Sequence, residues 1–154
     1  MQFLHSKNAI HGDLKSPNVL LTRGNTAKIA DCGTTRTIEE ITSMATSGGT
    51  SWRYGAPLKW AAPEVLNDER ARAKSDVYSY GIVVWEIVSG QLPWQGVNMQ
   101  QLMVTVGSRK RPVAPAGAPP PLTSLMVACW VNNPQDRVSF DDVLVMLTNG
   151  QATW

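Results

Sequence analysis

The sequence predicts a mainly α fold carrying one small β-hairpin. Two observations lead there. Ser75 to Gly90 opens on a capping residue, closes on glycine and encloses the most apolar stretch of the chain, Val77–Val88, which Glu86 interrupts. Leu122–Trp130 and Ser139–Leu147 repeat apolar residues at helical spacing, whereas only Val19–Leu21 and Ala27–Ile29 read as short strands. A chain of 154 residues suffices for one domain with a core. Its net charge of +2 gives no reason to expect nucleic acid or an anionic membrane as partner. Two cysteines, Cys32 and Cys129, are too few for a disulfide framework and fit a reducing compartment, so the cytoplasm is expected. Met1–Asn8 lacks the sustained apolar run of a signal, and Val77–Val88 is too short to span a bilayer.

Taken in order, Met1–Ser6 reads as the last turn of a helix with Phe3 and Leu4 facing inward. Arg23-Gly24-Asn25 separates the two strand-like runs, and Gly and Asn tolerate the positive φ of a tight turn. The resulting hairpin would hold Asn18, before it, close to Asp31, after it. Thr34–Tyr54 is rich in Ser, Thr and Gly without hydrophobic period and reads as a mobile loop. The Ser75–Gly90 helix leaves almost no polar face and is expected to be enclosed on most sides. A short helix follows over Met99–Val106. Ser108–Pro121 holds five of the ten prolines, which suits a connecting loop or an extended SH3 ligand. Asn132-Asn133-Pro134 breaks the chain before the last helix, and Gly150–Trp154 reads as a frayed tail.

Chemistry concentrates in Ile10–Asn18, which sets a carboxylate (Asp13), an ammonium (Lys15) and a carboxamide (Asn18) in one short loop. Phosphoryl transfer uses such a set: a base for the hydroxyl proton, a cation beside the moving group and an oxygen ligand for Mg²⁺. The spacing His11-x-Asp13-Leu14-x-x-x-Asn18 resembles the catalytic loop of eukaryotic protein kinases. Asp31-Cys32-Gly33 resembles the family's metal-binding Asp-Phe-Gly, and Ala62-Pro63-Glu64 matches its Ala-Pro-Glu, in the family's order.

The resemblance implies a protein-kinase-like C-terminal lobe over residues 1–147, with a tail at 148–154 and the hairpin at the catalytic face. Asp13 and Lys15 would be catalytic, and Asn18 and Asp31 would hold Mg²⁺ or Mn²⁺. ATP would meet Lys15, Asn18, Leu20 and Asp31. Pro57, Leu58 and Trp60 would form the substrate shelf. His11, Gly33, Glu64, Asp76 and Arg137 would support the site: Asp76 by accepting bonds from the catalytic-loop backbone, Glu64 by pairing with Arg137. Thr42, Ser43, Thr46, Ser47, Thr50, Ser51 and Tyr54 fall in the activation segment as candidate phosphosites.

Lys15 follows the Ser/Thr-kinase pattern, whereas Pro57-Leu58-Lys59-Trp60 and Cys129-Trp130 resemble tyrosine kinases. That mixture resembles the tyrosine-kinase-like group of Ser/Thr kinases, so protein Ser and Thr hydroxyls are the expected acceptors. Two departures matter. Gly12 stands where the family has an arginine that pairs with activation-segment phosphate, so dependence on loop phosphorylation should be weak unless Arg36 or Arg53 substitutes. Cys32 replaces the usual Phe. No Gly-rich loop, strand lysine or partner glutamate helix precedes the catalytic loop, so the N-terminal lobe is absent and a truncated gene model is expected. Alone, the chain should bind ATP poorly, have negligible activity, and expose an apolar face including Leu20 and Ile29 to that lobe or another protein. The alternative is a pseudokinase-like, non-catalytic lobe that serves as a protein-interaction module.

Overall fold

The computed structural model describes residues 1–37, 58–67 and 69–150. Activation-segment positions from 38 on, Arg53 and Pro57 lie outside them, as do residues 151–154, while residues 148–150 of the expected tail continue the last helix. Helix α1 (Gln2–Ser6) leads into β1 (Ala9–Ile10), which pairs antiparallel with β4 (Arg36–Thr37), a strand with no sequence signal of its own. Phe3 does not face inward; it is 70% exposed, with Lys7 Nζ 5.9 Å from its ring centroid. His5 takes the inward side, and two residues of helix turn Phe3 about 200° away from it.

The hairpin pairs β2 (Val19–Leu21) with β3 (Ala27–Ile29) in the register Val19↔Ile29, Leu20↔Lys28, Leu21↔Ala27. Asn25, not Gly24, takes the left-handed turn position, at φ 57°. Ala30 N donates to Asn18 O at 2.8 Å, which extends the ladder by one rung. That rung brings the backbone at Asn18 beside the residue preceding Asp31. Leu20 and Leu21 are exposed, while Ile29 packs partly against the core.

The body is helical: α2 (Pro63–Leu66), α3 (Ala73–Ser89), α4 (Met99–Gly107), α5 (Pro120–Cys129) and α6 (Phe140–Gly150). Helix α3 is the central post, and Val77, Tyr78, Ile82, Val83, Val84 and Trp85 are all buried. Its N-cap is Arg72 rather than Ser75, which lies within the first turn and accepts from Arg72 N at 3.0 Å. Gly90 ends it in the left-handed conformation, at φ 64°. Enclosure fails in the last turn, where Ile87 is 73% exposed. Gly81 lets α5 come close, since a Cβ there would lie 2.7 Å from Cys129 Cβ.

Helix α6 starts one residue past the expected position because Ser139 is its cap. Ser139 N and Oγ both donate to Asp142 Oδ2 at 2.7 Å, and Asp142 N donates back to Ser139 Oγ at 3.2 Å. The bonds from Ser139 hold the Asp142 carboxyl below its usual range.

The proline-rich segment is a connecting loop as far as Pro119, and Pro120 and Pro121 already open α5, two residues before the expected start. Lys110, Val113 and Ala116 are exposed at spacing three, whereas Arg111, Pro112, Ala114 and Pro115 turn toward the body. Arg111 donates to Trp130 O and Val106 O, and Trp85 Nε1 donates to Val113 O. Pro112 and Pro115 are half-buried in this loop.

Candidate active site

Asp76, at the first turn of α3, is buried and accepts three bonds. Its Oδ2 takes His11 N and His5 Nε2, each at 2.9 Å, and its Oδ1 takes Gly12 N at 2.9 Å. Gly12 sits at φ 76°, a conformation that costs glycine nothing. Read from sequence as a missing arginine, Gly12 also has this backbone role. Buried His11 orders the next step. Asp13 N donates to His11 Nδ1 at 3.2 Å and His11 Nε2 faces Ala30 O at 3.2 Å, so one neutral tautomer satisfies both. The imidazole thereby links the loop before Asp13 to the strand end before Asp31.

The Asp13 carboxylate is almost fully buried. Lys15 Nζ donates to both of its oxygens, at 3.0 and 2.8 Å. Asn18 Nδ2 donates to Asp13 O at 2.9 Å and to Asp13 Oδ2 at 3.1 Å. With its nitrogen so committed, the Asn18 amide keeps Oδ1 without a hydrogen bond among the described residues. Asp31 is exposed at φ 59°, and Gly33 clears its flank, since a Cβ there would meet Asp31 Oδ1 at 3.2 Å. Among the described residues no three His, Cys, Asp or Glu side chains gather into an ion cage. One amide oxygen and one carboxylate fit an ion such as Mg²⁺, which keeps several ligands from water and phosphate. Arg36 Nη1 donates to Gly33 O at 3.3 Å and to Thr35 O at 2.8 Å.

Glu64 and Arg137 form the expected pair, at 2.8 Å (Nη1 to Oε1) and 3.1 Å (Nη2 to Oε2). All five guanidinium N–H groups are used, the others by Val131 O, Lys74 O and Asn132 O. Ser75 Oγ adds a bond to Glu64 Oε1 at 2.8 Å. Tyr78 lies between Arg111 and Arg137, 5.2 Å from each ring centroid to guanidinium carbon. Burial pushes its phenol up to about 12.

Sequence reading missed three contributors. His5 passed as a helix-end residue, although it donates to Asp76 and stands edge-on to Phe140 at 5.2 Å. Ser79 Oγ donates to Trp60 O at 2.8 Å. Glu86, read only as an interruption of the apolar run, accepts from Ser16 Oγ at 2.8 Å and from Trp60 Nε1 at 3.0 Å. The signal was present: at about 100° per residue, positions 76, 79 and 86 fall within about 80° of one another. An otherwise apolar helix therefore carries a polar stripe toward the loop and the 3₁₀ turn Leu58–Trp60. Pro57, the first shelf residue, lies outside the described residues.

A carboxylate, a lysine and an amide held in one loop by a buried helix carboxylate, with a second acid at the hairpin's far end, define the C-terminal lobe of a protein kinase. The profile of the family "Protein tyrosine and serine/threonine kinase" matches residues 1–147, and the chain belongs to that family. Serine/threonine-protein kinase CTR1 of Arabidopsis thaliana is 37% identical over 96% of this chain and 18% of its own length. Mitogen-activated protein kinase kinase kinase 12 of Rattus norvegicus is 34% identical over 99% of the chain and 16% of its own length. Serine/threonine/tyrosine-protein kinase HT1 of Arabidopsis thaliana is 36% identical over 96% and 36%. The chain thus spans a minor part of each of these relatives. Among the described residues, no helix is long and apolar enough to cross a membrane.

Proposed function

We propose that the protein containing this lobe is a Ser/Thr protein kinase that moves the ATP γ-phosphoryl to protein hydroxyls. The observation that carries the reading is the Asp13–Lys15–Asn18 cluster, bonded within 3.1 Å and set on the buried Asp76. Mg²⁺ or Mn²⁺ at Asn18 and Asp31 would neutralise charge on the ATP phosphates. Asp13 takes the proton of the attacking hydroxyl as the oxygen bonds to phosphorus and the bond to ADP breaks. Lys15 begins on Asp13 and passes to a phosphoryl oxygen, which frees a carboxylate oxygen for the proton. Leu20, exposed on β2, offers apolar surface to the nucleotide. Residues 1–147 would make up the lobe's share of the domain, and the exposed β2 face would meet a second lobe.

Exposed Cys32 and the glycine at position 12 favour the second reading, a non-catalytic interaction lobe. The intact base, lysine and both oxygen ligands favour the enzyme. Phosphate incorporation by the full-length product, compared with its Asp13→Asn variant, tests the choice. A fall of about 10²–10⁴ is expected for loss of the base. Equal incorporation would remove the enzyme reading.

A further inference from the structure

The chain has two phenylalanines, Phe3 and Phe140, and both line one groove of about 510 Å³ outside the Asp13–Lys15–Asn18 cluster. Pockets that take ligands run from about 300 to 1,000 Å³. Helix α1 supplies Gln2, Phe3, His5 and Ser6, and the first turn of α6 supplies Phe140 and Asp141. His5 and Phe140 are held in place: their rings meet edge-on at 5.2 Å, and His5 Nε2 is bonded to Asp76. Phe3 is exposed, so an aromatic face stands open at the rim. The charge of the lining is one-sided. Asp141 is exposed; its Oδ1 accepts from Gln2, and its Oδ2 has no hydrogen-bond partner among the described residues. No Lys or Arg among the described residues lines the groove. Lys74 is engaged on Arg137 O, and Lys7 Nζ stands 5.9 Å from the Phe3 ring centroid. Asp142 N and Val143 N, which could otherwise attract an anion, are spent on Ser139.

We propose that this α1–α6 groove docks an arginine side chain of a partner protein, its guanidinium between Asp141 and the Phe3 ring. The partner's chemistry follows from the lining. An open aromatic face beside a carboxylate attracts a cation. A guanidinium uses both at once, stacking on the ring and bonding the carboxylate through its planar fork. An ammonium has no plane to stack, and an acidic segment would be repelled by Asp141 and Asp142. The inference does not depend on the kinase reading, because the groove shares no side chain with the Asp13–Lys15–Asn18 cluster.

The test uses the 154-residue chain with ring-labelled phenylalanine, followed by nuclear magnetic resonance, where both side-chain signals come from the groove. Loss of one signal in Phe3→Leu assigns the pair. The probe is the capped peptide Ala-Leu-Arg-Ala-Leu-Arg, with analogues carrying Lys, Glu or Gln in place of Arg. Both signals should move along one saturating curve with the Arg peptide. The Lys peptide should bind roughly twofold more weakly for want of the planar fork, and the Glu and Gln peptides should leave both signals still. Asp141→Asn keeps an acceptor for Gln2, so the groove keeps its shape. This variant should weaken the Arg peptide about threefold to fivefold, the worth of an exposed ion pair. Asp136→Asn, at an exposed acid outside the groove, should leave binding unchanged. Phe3→Leu, read at the Phe140 signal, should erase the preference for Arg over Lys. Signals that stay still with the Arg peptide would overturn the site. A Gln peptide that binds as well would make the groove merely apolar, and equal binding by parent and Asp141→Asn would remove the guanidinium pairing; either result overturns the proposal.

Discussion

Arg137 holds a buried ion pair within the helical body. Its side chain is 0% exposed and all five N–H groups are engaged, two of them on Glu64. Removing it would leave a carboxylate that is only 5% exposed, with Ser75 Oγ as its remaining donor among the described residues. Breaking a buried pair from one side costs about 3–5 kcal/mol, because the surviving charge keeps its desolvation penalty. Arg137→Ala should therefore lower unfolding free energy by about that amount in a denaturant titration. A variant that unfolds at the parent's midpoint would refute the account. This pair was legible in the sequence because two motifs, Ala62-Pro63-Glu64 and Pro134-x-x-Arg137, supplied its ends. His5 was not legible: a lone histidine near a helix end announces no partner, and Asp76 lies 71 residues away. The φ of Gly12 was hidden for a related reason, since a glycine can mark either a lost side chain or a required backbone shape.

At the scale of elements, Gly81 decides how closely α3 and α5 approach. Intrinsic propensity says that alanine in a helix interior should gain about 1 kcal/mol over glycine. Here the added Cβ would lie 2.7 Å from Cys129 Cβ, an atom fixed to its own helix and unable to swing aside. Overpacking of this kind costs about 1–3 kcal/mol, so the clash outweighs the propensity gain. Gly81→Ala is expected to destabilise the chain, read as a lower thermal midpoint; a rise would mean that α5 shifts freely. Helical spacing gave α5 and α6, a cap and a closing glycine gave α3, and two apolar runs about a Gly-Asn turn gave the hairpin, because each of those patterns is local. Such patterns did not give β4, two residues long and specified by its partner Ala9–Ile10 rather than by its own letters. Nor did apolar counting reveal the stripe of Asp76, Ser79 and Glu86, since three polar residues spread over three turns barely lower a helix's average hydrophobicity.

For the described molecule as a whole, one post gathers the site: α3 packs against α5 on one side and holds the His11–Asn18 loop and the Leu58–Trp60 turn on another. The motifs supplied the site's membership, whereas its support came from side chains far apart in sequence that only the packed lobe brings together. The same packing divides the two cysteines. Cys32 is exposed beside Asp31, whereas Cys129 is 0% exposed against α3, and burial pushes its thiol up to about 12. Alkylation needs both the thiolate and access. At pH 8 the buried thiol is almost wholly protonated and can be reached only when the α3–α5 interface opens. Iodoacetamide should therefore leave a single adduct on the native chain, lost in Cys32→Ser, and two adducts in denaturant, counted by mass spectrometry. The second adduct's rate should rise in Gly81→Ala, because the weakened interface opens more often. Two adducts forming at equal rates on the native chain would mean that the central post is not packed as described.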